Sequence, residues 1–388
     1  MHSKKKSGRS GANEKQLSSA RARASERGIT RRTGARSSGG NPPAGARGSR
    51  AAVSKSRSGS SRNSSSASVP MATSADEHSR QLLFPEISDR ERKGKWWAAR
   101  LLWLRRLYIG RKIQSLGMDS NIISYEGQRF RIYAGGEGNQ PLVLLHGFLD
   151  TSHVFRRVLP ELLKRFRVYM LDLPGHGESE MPFIRSLWHL PDISASIFRL
   201  LHHRLKLQDP ILLSHSMGGL VGIHAQFFAR KYHDLTLFQS MHLIAPGALL
   251  LSPEEREVLR RRFFPGTREE VQELFNHLFY SQIPELPGWA ISGLLYEWSG
   301  PGFQYLAANT LERESEVFYK PTDLKKLDVP VELYWGKEDS ITPLLLGKKL
   351  QKSIRGSKLH QFSPAGHGLL QEKPGEFLYR FLSRIHEL

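Results

Sequence analysis

Short apolar segments alternate with longer amphipathic ones along the chain from about residue 118 onward. Each apolar segment is only a few residues long and mostly Leu, Val, Ile or Met, which is typical of strands buried in a parallel sheet. An earlier pair, Ile122–Tyr125 and Arg129–Tyr133, has the spacing of a hairpin. The other predicted strands are Leu142–Leu145, Arg167–Leu171, Ile211–Leu213, Met241–Ala245, Val331–Trp335 and Leu359–Phe362.

Helical patterns fill the intervals between these strands, because apolar residues recur there at helical spacing. Strands that alternate with helices predict an α/β fold with a doubly wound, mostly parallel sheet. The predicted helices are Phe155–Phe166, Ile193–Leu207, Leu220–Lys231 and the closing helix Gly375–His386.

Residues 248–322 interrupt the alternation with a helical insertion that is rich in aromatic residues. We expect residues 118–247 and 323–388 to form the α/β core. The insertion is predicted to form a helical cap over the carboxyl edge of the sheet, where open α/β sheets bind ligands. Most of its aromatic side chains should pack within the cap, and a minority should line an apolar substrate slot. Among these aromatic residues are Phe263, Phe264, Phe275, Phe279, Tyr280, Trp289, Trp298, Phe303 and Tyr305.

The N-terminal region, residues 1–89, is predicted to be a disordered basic tail, because Ser, Gly, Arg and Ala dominate it and large apolar residues are scarce. Residues 1–115 hold 26 Lys and Arg against 7 Asp and Glu, whereas the remainder holds 31 against 30. Any contact with a membrane surface or nucleic acid is therefore expected through residues 1–117. Its composition also suits an organelle transit peptide, or a translation start at Met71, and the sequence leaves these alternatives open.

Residues 90–117 form a separate element, a predicted amphipathic helix rich in Trp and Arg. Two interpretations stay open: a helix lying in a membrane interface, or a helix docked on the rest of the protein with its arginines in solvent. No run approaches the ~20 apolar residues of a spanning helix. A secretory signal is not predicted either, so we expect a cytoplasmic protein with peripheral membrane attachment as an alternative.

The chain contains no cysteine, which excludes disulfides, thiolate nucleophiles and Cys-based zinc sites. His202 and His203 are sequence neighbours and should point to different faces of a helix, which argues against a metal pair. No metal or other cofactor is predicted.

Ser216 lies in the segment Leu212-Leu213-Ser214-His215-Ser216-Met217-Gly218-Gly219, where an apolar run gives way to small residues and then to a helix. A sharp turn between strand and helix exposes a side-chain oxygen, as a reactive serine requires. The segment differs by one residue from the G-x-S-x-G pattern of the nucleophile elbow, since Ser214 replaces the first glycine. A hydroxymethyl group should fit there with slight crowding.

Four motifs follow one another along the chain: Leu144–Phe148, Asp172–Ser179, the Ser216 turn, and Tyr334–Pro343 followed by Pro364–Gly368. Each motif alone would be a modest signal, but their order and spacing together are specific. They resemble the motifs of the α/β-hydrolase superfamily, and the resemblance covers about residues 121 to 388.

The resemblance implies that Ser216 is the nucleophile, Asp339 the acid and His367 the base, in the chain order that this fold uses. A serine hydroxyl is a weak nucleophile at neutral pH, so the imidazole must accept its proton, and the carboxylate must orient the imidazole. Glu338 is an adjacent rival, but the spacing from Gly336 favours Asp339. The implied oxyanion hole consists of the backbone N–H groups of Phe148 and Met217.

The predicted function is a serine hydrolase that cleaves carboxylic esters with apolar acyl groups through an acyl-enzyme on Ser216. Hydrolysis of a thioester or a carbon–carbon bond by the same triad is an alternative. A further alternative is a non-catalytic α/β-hydrolase-fold binding module tethered by its basic tail. Acyl length, leaving group and oligomeric state are not predicted.

Overall fold

The computed structural model describes residues 89–184 and 188–385. The predicted basic tail, apart from its last residue, lies outside the described residues. Within them, the chain forms an eight-stranded sheet with flanking helices.

The strands lie in the order β1-β2-β4-β3-β5-β6-β7-β8. The hairpin β1–β2 is antiparallel and β2 pairs antiparallel with β4, whereas every later neighbour pair is parallel. The predicted α/β fold with a mostly parallel sheet is confirmed. The strands are β1 (Met118–Tyr125), β2 (Gln128–Gly135), β3 (Pro141–Leu145), β4 (Arg167–Leu171), β5 (Ile211–His215), β6 (Ser240–Ile244), β7 (Val331–Gly336) and β8 (Lys358–Phe362).

Burial explains why the central strands are continuous apolar runs. β5, β6 and β7 are buried at every position, since helices cover both faces of a parallel sheet. β1, at the edge, alternates between buried and exposed positions only in part. The main apolar core therefore lies on both sides of β3, β5, β6 and β7.

Most predicted helices are present, with shifted ends. The helices are α1 (Asp89–Gln114), α2 (Leu159–Leu163), α3 (Leu190–Arg199), α4 (Met217–His233), α5 (Pro253–Phe263), α6 (Arg268–Leu278), α7 (Gly288–Trp298), α8 (Pro301–Glu312), α9 (Glu314–Val317), α10 (Pro321–Leu324), α11 (Leu344–Ser353), α12 (Leu369–Glu372) and α13 (Pro374–Ile385). A π-helical turn, Leu200–Arg204, continues α3.

The prediction of one helix over Phe155–Phe166 is wrong. A 3₁₀ turn, Ser152–Arg157, is followed by the separate short helix α2. Pro160 explains the break, because proline has no N–H to donate and its ring clashes with the carbonyl of the preceding turn. Proline is accepted in the first turn of a new helix, which is where it stands in α2.

The insertion between β6 and β7 has an apolar cluster of its own. Helices α5 and α6 each begin with a complete capping box, at Ser252 and Thr267 respectively. The second cluster also includes Ile341, from the loop after β7, so the insertion packs on the carboxyl edge of the sheet. Its buried members are Val271, Leu274, Ile291, Leu295, Trp298, Ala307 and Ile341.

The leading helix α1 docks on the insertion along one face. Ala98 and Leu102 are buried there, and the Arg106 guanidinium donates to both carboxylate oxygens of Glu297 on α7, at 2.8 and 2.6 Å. Of the two interpretations of this helix, docking on the rest of the protein applies to its inner face. The opposite face stays exposed, with several large apolar side chains in solvent: Trp96, Trp97, Leu101, Trp103, Leu104 and Tyr108.

The close approach of α1 to α7 depends on Gly293. A Cβ atom at this position would lie 2.7 Å from Leu102 Cδ1 and 2.8 Å from the carbonyl oxygen of Ala98. We expect Gly293→Ala to lower the free energy of unfolding by about 1–3 kcal/mol in urea denaturation, despite the better helix propensity of alanine.

The matched control is Gly375→Ala in α13, where a Cβ atom would meet nothing within 4 Å. This variant should be neutral or slightly more stable, because alanine favours the helix. Equal effects of the two substitutions would contradict the packing described for α1.

Candidate active site

Ser216 lies at the corner between β5 and α4 with a strained backbone. Its φ and ψ angles are 50° and −120°, a region that residues with a Cβ atom rarely adopt. A hydrogen bond to the neighbouring strand holds this conformation, since the Ser216 N–H donates to the carbonyl oxygen of Ile244 on β6 at 2.8 Å. The sharp turn places the side chain above the carboxyl end of β5, as the motif predicts.

Gly218 permits this corner by direct contact with the neighbouring strand. A Cβ atom there would lie 2.3 Å from the carbonyl oxygen of Leu145 and 2.6 Å from that of His146. No other residue fits without a shift of β3. The start of α4 and the end of β3 are therefore packed backbone against backbone.

His367 and Asp339 form a buried pair, in the loops that follow β8 and β7. His367 Nδ1 lies 2.8 Å from Asp339 Oδ2, and the exposed fractions are only 2% and 4%. Asp339 Oδ1 accepts from the backbone N–H groups of Ile341 and Thr342, at 2.9 and 2.8 Å. These two bonds fix the carboxylate, so its other oxygen is aimed at the imidazole.

Thr342 is a further member of this pair that motif reasoning missed. Its Oγ1 donates to Asp339 Oδ2 at 3.0 Å and lies 3.2 Å from His367 Nδ1. The hydroxyl therefore fills the space beside the carboxylate and imidazole. A Thr three residues after the acid is too common a pattern to single out from sequence.

Glu338, the rival acid, has another role. One of its carboxylate oxygens accepts from Ser363 Oγ and the other from the Ala365 N–H, both at 2.8 Å. These bonds hold the loop that carries His367, and they leave Asp339 as the carboxylate at the imidazole.

His215, the last residue of β5 and the neighbour of Ser216, supports the imidazole of His367. Its Nε2 donates to the carbonyl oxygen of His367 at 3.0 Å, and the two rings are 4.8 Å apart between centroids. Burial lowers the pKa of His215 to about 3, so the ring is neutral at physiological pH. Sequence reasoning missed this contact because it joins residues 152 positions apart.

The two backbone amides expected to bind an oxyanion lie on either side of this corner. Met217 begins α4, and Phe148 follows the carboxyl end of β3, the strand next to β5. Among the described residues, neither amide donates to a protein acceptor in a turn or loop. The first N–H groups of a helix have no partner within it, so Met217 N–H is available to a ligand.

A cavity of about 270 Å³ opens beside Ser216 and His367. Apolar side chains of the insertion form much of its wall, and Phe148 packs edge to face against Phe263, Phe264 and Phe303. Of the nine aromatic residues of the insertion named above, four line the cavity: Phe263, Phe275, Phe279 and Trp298.

The helix α1 also lines this cavity, which no motif predicted. Leu102, Arg105, Arg106 and Ile109 contribute to the wall. Helical periodicity predicts that these residues lie on a helix. It does not predict the contact of that helix with α7, which lies 191 positions later in the chain, as measured from Arg106 to Glu297.

The two histidines of the first two motifs, His146 and His176, have structural roles. His146 is fully buried, donates from Nδ1 to the Gly147 carbonyl and accepts at Nε2 from the Leu173 N–H. His176 donates to the Pro174 carbonyl and packs against Phe303. Within residues 89–184 and 188–385, no three His, Asp or Glu side chains are grouped as metal ligands.

Ser214, which replaces the usual glycine, is accommodated in full burial. Its hydroxyl has no hydrogen-bond partner among the described residues. A buried hydroxyl without a partner costs about 1–3 kcal/mol, so Ser214 lowers the free energy of unfolding slightly.

Comparison with known proteins places this geometry in a family. The sequence pattern of the alpha/beta hydrolase family matches residues 142–380, and the chain belongs to that family. The match begins in β3 and ends in α13, so it contains the elbow, the buried pair and the insertion.

Its relatives include hydrolases and lipases. The uncharacterized hydrolase YugF of Bacillus subtilis (strain 168) is 28% identical over 251 residues, which cover 61% of this chain and 86% of YugF. Monoacylglycerol lipase ABHD6 of Homo sapiens is 26% identical over 318 residues, 74% of this chain and 90% of that protein.

A solved structure with the same fold is that of a membrane phospholipase A, described as a bacterial virulence factor. It is 19% identical, with a TM-score of 0.61 over 75% of this chain and 93% of that one. Among the described residues of this protein, no helix combines the length and apolarity needed to cross a bilayer.

Buried neutral histidines predict acid sensitivity of the fold. Burial lowers the pKa of each of His176, His215 and His242 to about 3. In the unfolded chain these three histidines bind protons near pH ~6.5, whereas in the folded protein they stay neutral down to about pH ~3. The free energy of unfolding is therefore highest above pH ~6.5 and falls as the pH drops toward ~3.

We therefore expect the free energy of unfolding in urea to fall by at least about 1 kcal/mol between pH ~6.5 and pH ~5. Far-UV circular dichroism at several pH values measures it. A free energy of unfolding that stays constant or rises as the pH is lowered would show that these rings are not neutral in the folded protein.

Proposed function

We propose that the protein is a serine hydrolase that cleaves carboxylic esters with apolar acyl groups through an acyl-enzyme on Ser216. The observation that supports this most is the shared cavity. Ser216 reaches it from the strained elbow, and His367 reaches it with Nδ1 already held by Asp339.

Attack begins when Ser216 Oγ adds to the ester carbonyl carbon while its proton passes to His367 Nε2. The tetrahedral oxyanion is stabilised by the N–H groups of Phe148 and Met217. When the carbon–oxygen bond to the leaving alcohol breaks, His367 returns the proton to that oxygen. A water molecule, deprotonated by the same imidazole, then attacks the acyl-enzyme, and the carboxylic acid and free Ser216 are formed.

Asp339 and Thr342 would act on the imidazole. With Nδ1–H donated to the carboxylate, Nε2 carries the lone pair that accepts the serine proton. The negative charge also stabilises the imidazolium formed during attack. Thr342 Oγ1, bonded to the same carboxylate oxygen, limits its rotation.

The preference for an apolar acyl group rests on the cavity wall. Leu274, Leu278 and Leu294 line it together with the four aromatic residues of the insertion. A wall of this kind favours apolar chains over charged ones. The monoacylglycerol lipase activity in the name of a relative agrees with such a substrate.

Substitution of the nucleophile tests the proposal. Ser216→Ala should lower kcat/KM for p-nitrophenyl acyl esters by at least about a thousandfold, because no oxygen remains to form the acyl-enzyme. Release of p-nitrophenol measures the rate, and screening acyl lengths tests the preference for apolar chains.

The matched control is Ser214→Ala, two residues away in the same turn, which removes a hydroxyl that has no partner among the described residues. It should retain the rate within a few fold. Ester hydrolysis that survives Ser216→Ala would contradict the proposal. Turnover of thioesters or of carbon–carbon bonds but not esters would favour the alternative hydrolases, and no turnover of any of them would favour a binding module.

For the partner of the leading helix we propose an anionic membrane surface. Trp97, Leu101, Leu104 and Tyr108 recur at spacings of four and three on the outer face of α1, with 39–59% of each side chain exposed. Basic residues flank this apolar stripe on both sides: Arg100, Arg105, Arg111 and Lys112. Apolar residues in the interface and arginines at the phosphates are the pattern of an interfacial helix.

Vesicle sedimentation with the full chain tests this contact. The variant Leu101→Ser/Leu104→Ser should bind vesicles containing phosphatidylserine at least about tenfold more weakly, because two apolar contacts are lost. Leu345→Ser, which replaces a leucine that is 59% exposed on α11, is the control and should bind as wild type. The proposal would be contradicted if the double variant bound vesicles as tightly as wild type. It would also be contradicted if the double variant lost binding to RNA while its binding to vesicles was unchanged.

A further inference from the structure

Two arginines stand where the cavity of Ser216 meets a second groove. Arg105 of α1 and Arg156 of the 3₁₀ turn line the cavity. They also line a groove of about 710 Å³ along the second half of α1, and Ile109 is shared as well. Lys112 is a third cation in that groove.

The charges at this junction are not balanced. Arg106 is neutralised by its two bonds to Glu297. Within the described residues, by contrast, neither Arg105 nor Arg156 forms an ion pair with a carboxylate. Among these described residues, the Arg156 guanidinium donates to the carbonyl oxygen of His153, at 3.3 Å.

The environment disfavours this excess of positive charge. Burial lowers the pKa of Arg156, and the charge of Arg105 lowers it further. Asp150 is the acid in the same cavity, and it accepts from the Thr151 N–H at 2.8 Å. Burial raises the pKa of Asp150, while the charge of Arg156 lowers it. Asp150 therefore offsets the positive charge of the two arginines only in part. An anion bound at the junction would relieve the repulsion between the two guanidinium groups.

We propose that Arg105 and Arg156 bind the phosphate group of an anionic monoacyl lipid whose ester lies at Ser216. Guanidinium groups match phosphate oxygens through paired, charge-assisted hydrogen bonds. The apolar cavity accepts the acyl chain, and the groove leaves the polar end open to solvent. The proposal rests on the proposed function and adds the substrate class to it.

A matched pair of esters tests the site: 1-decanoylglycerol 3-phosphate and neutral 1-decanoylglycerol, both below their micellar concentrations. The full chain should prefer the phosphate-bearing ester in kcat/KM. Arg105→Gln and Arg156→Gln should each reduce the ratio of the two values by about tenfold, because each removes a charged hydrogen bond. Arg156→Lys should retain part of the preference.

The control is Arg355→Gln, which removes an exposed charge from the turn after α11 and lines neither the cavity nor the groove. It should leave the ratio unchanged, which separates a local site from the net charge of the protein. A wild-type protein without preference, or equal losses on both esters in the Arg105 and Arg156 variants, would overturn the proposal.

Binding gives a readout that does not depend on catalysis. In calorimetry, dodecyl phosphate should bind wild type at least about tenfold more tightly than the variant Arg105→Gln/Arg156→Gln, and dodecanol should not distinguish the two. Inorganic phosphate that binds as tightly as dodecyl phosphate would overturn the lipid assignment. If neither ester is hydrolysed but dodecyl phosphate binding depends on the two arginines, the proposed function fails and the anion site stands.

Discussion

The strained corner at Ser216 is the constraint on which the rest of the site depends. Its positive φ angle is possible because the Ser216 N–H is bonded to β6 and because Gly218 lets α4 start against the backbone of β3. The same contact positions the Met217 and Phe148 amides on either side of the serine. A side chain at position 218 would therefore displace Ser216 and the candidate oxyanion hole together.

Parallel strand order explains how distant parts of the chain meet at this corner. β3, β5, β6, β7 and β8 are parallel neighbours, so their carboxyl ends lie along one edge of the sheet. The loops after β7 and β8 deliver Asp339 and His367, and the loop after β3 delivers Phe148. The insertion after β6 covers the same edge and closes the cavity from above.

Local signals predicted much of this arrangement. Short apolar runs located the strands, and motif order singled out Ser216, Asp339 and His367 as the proposed triad. The failures have physical causes. Pro160 divided a helix whose periodicity was continuous, and the supporting contacts of His215 and Thr342 depend on where loops converge rather than on any local pattern.

The leading helix illustrates the limit of periodicity most clearly. Its apolar residues surround much of the helix, so the pattern could not separate the face that packs on Gly293 from the face that stays exposed. The packing of α1 on the insertion determines which face is buried, and it also brings Arg105 and Arg106 to the cavity wall. One helix thereby joins the proposed membrane surface, the proposed anion site and the cavity.

The most direct measurement of the central claim is mass spectrometry of the protein after reaction with a fluorophosphonate. The account predicts one adduct per chain, on the peptide that carries Ser216, formed quickly in wild type and slowly when His367 is replaced by alanine. An adduct on another residue, or a Ser216 that is inert while the protein is folded, would contradict it.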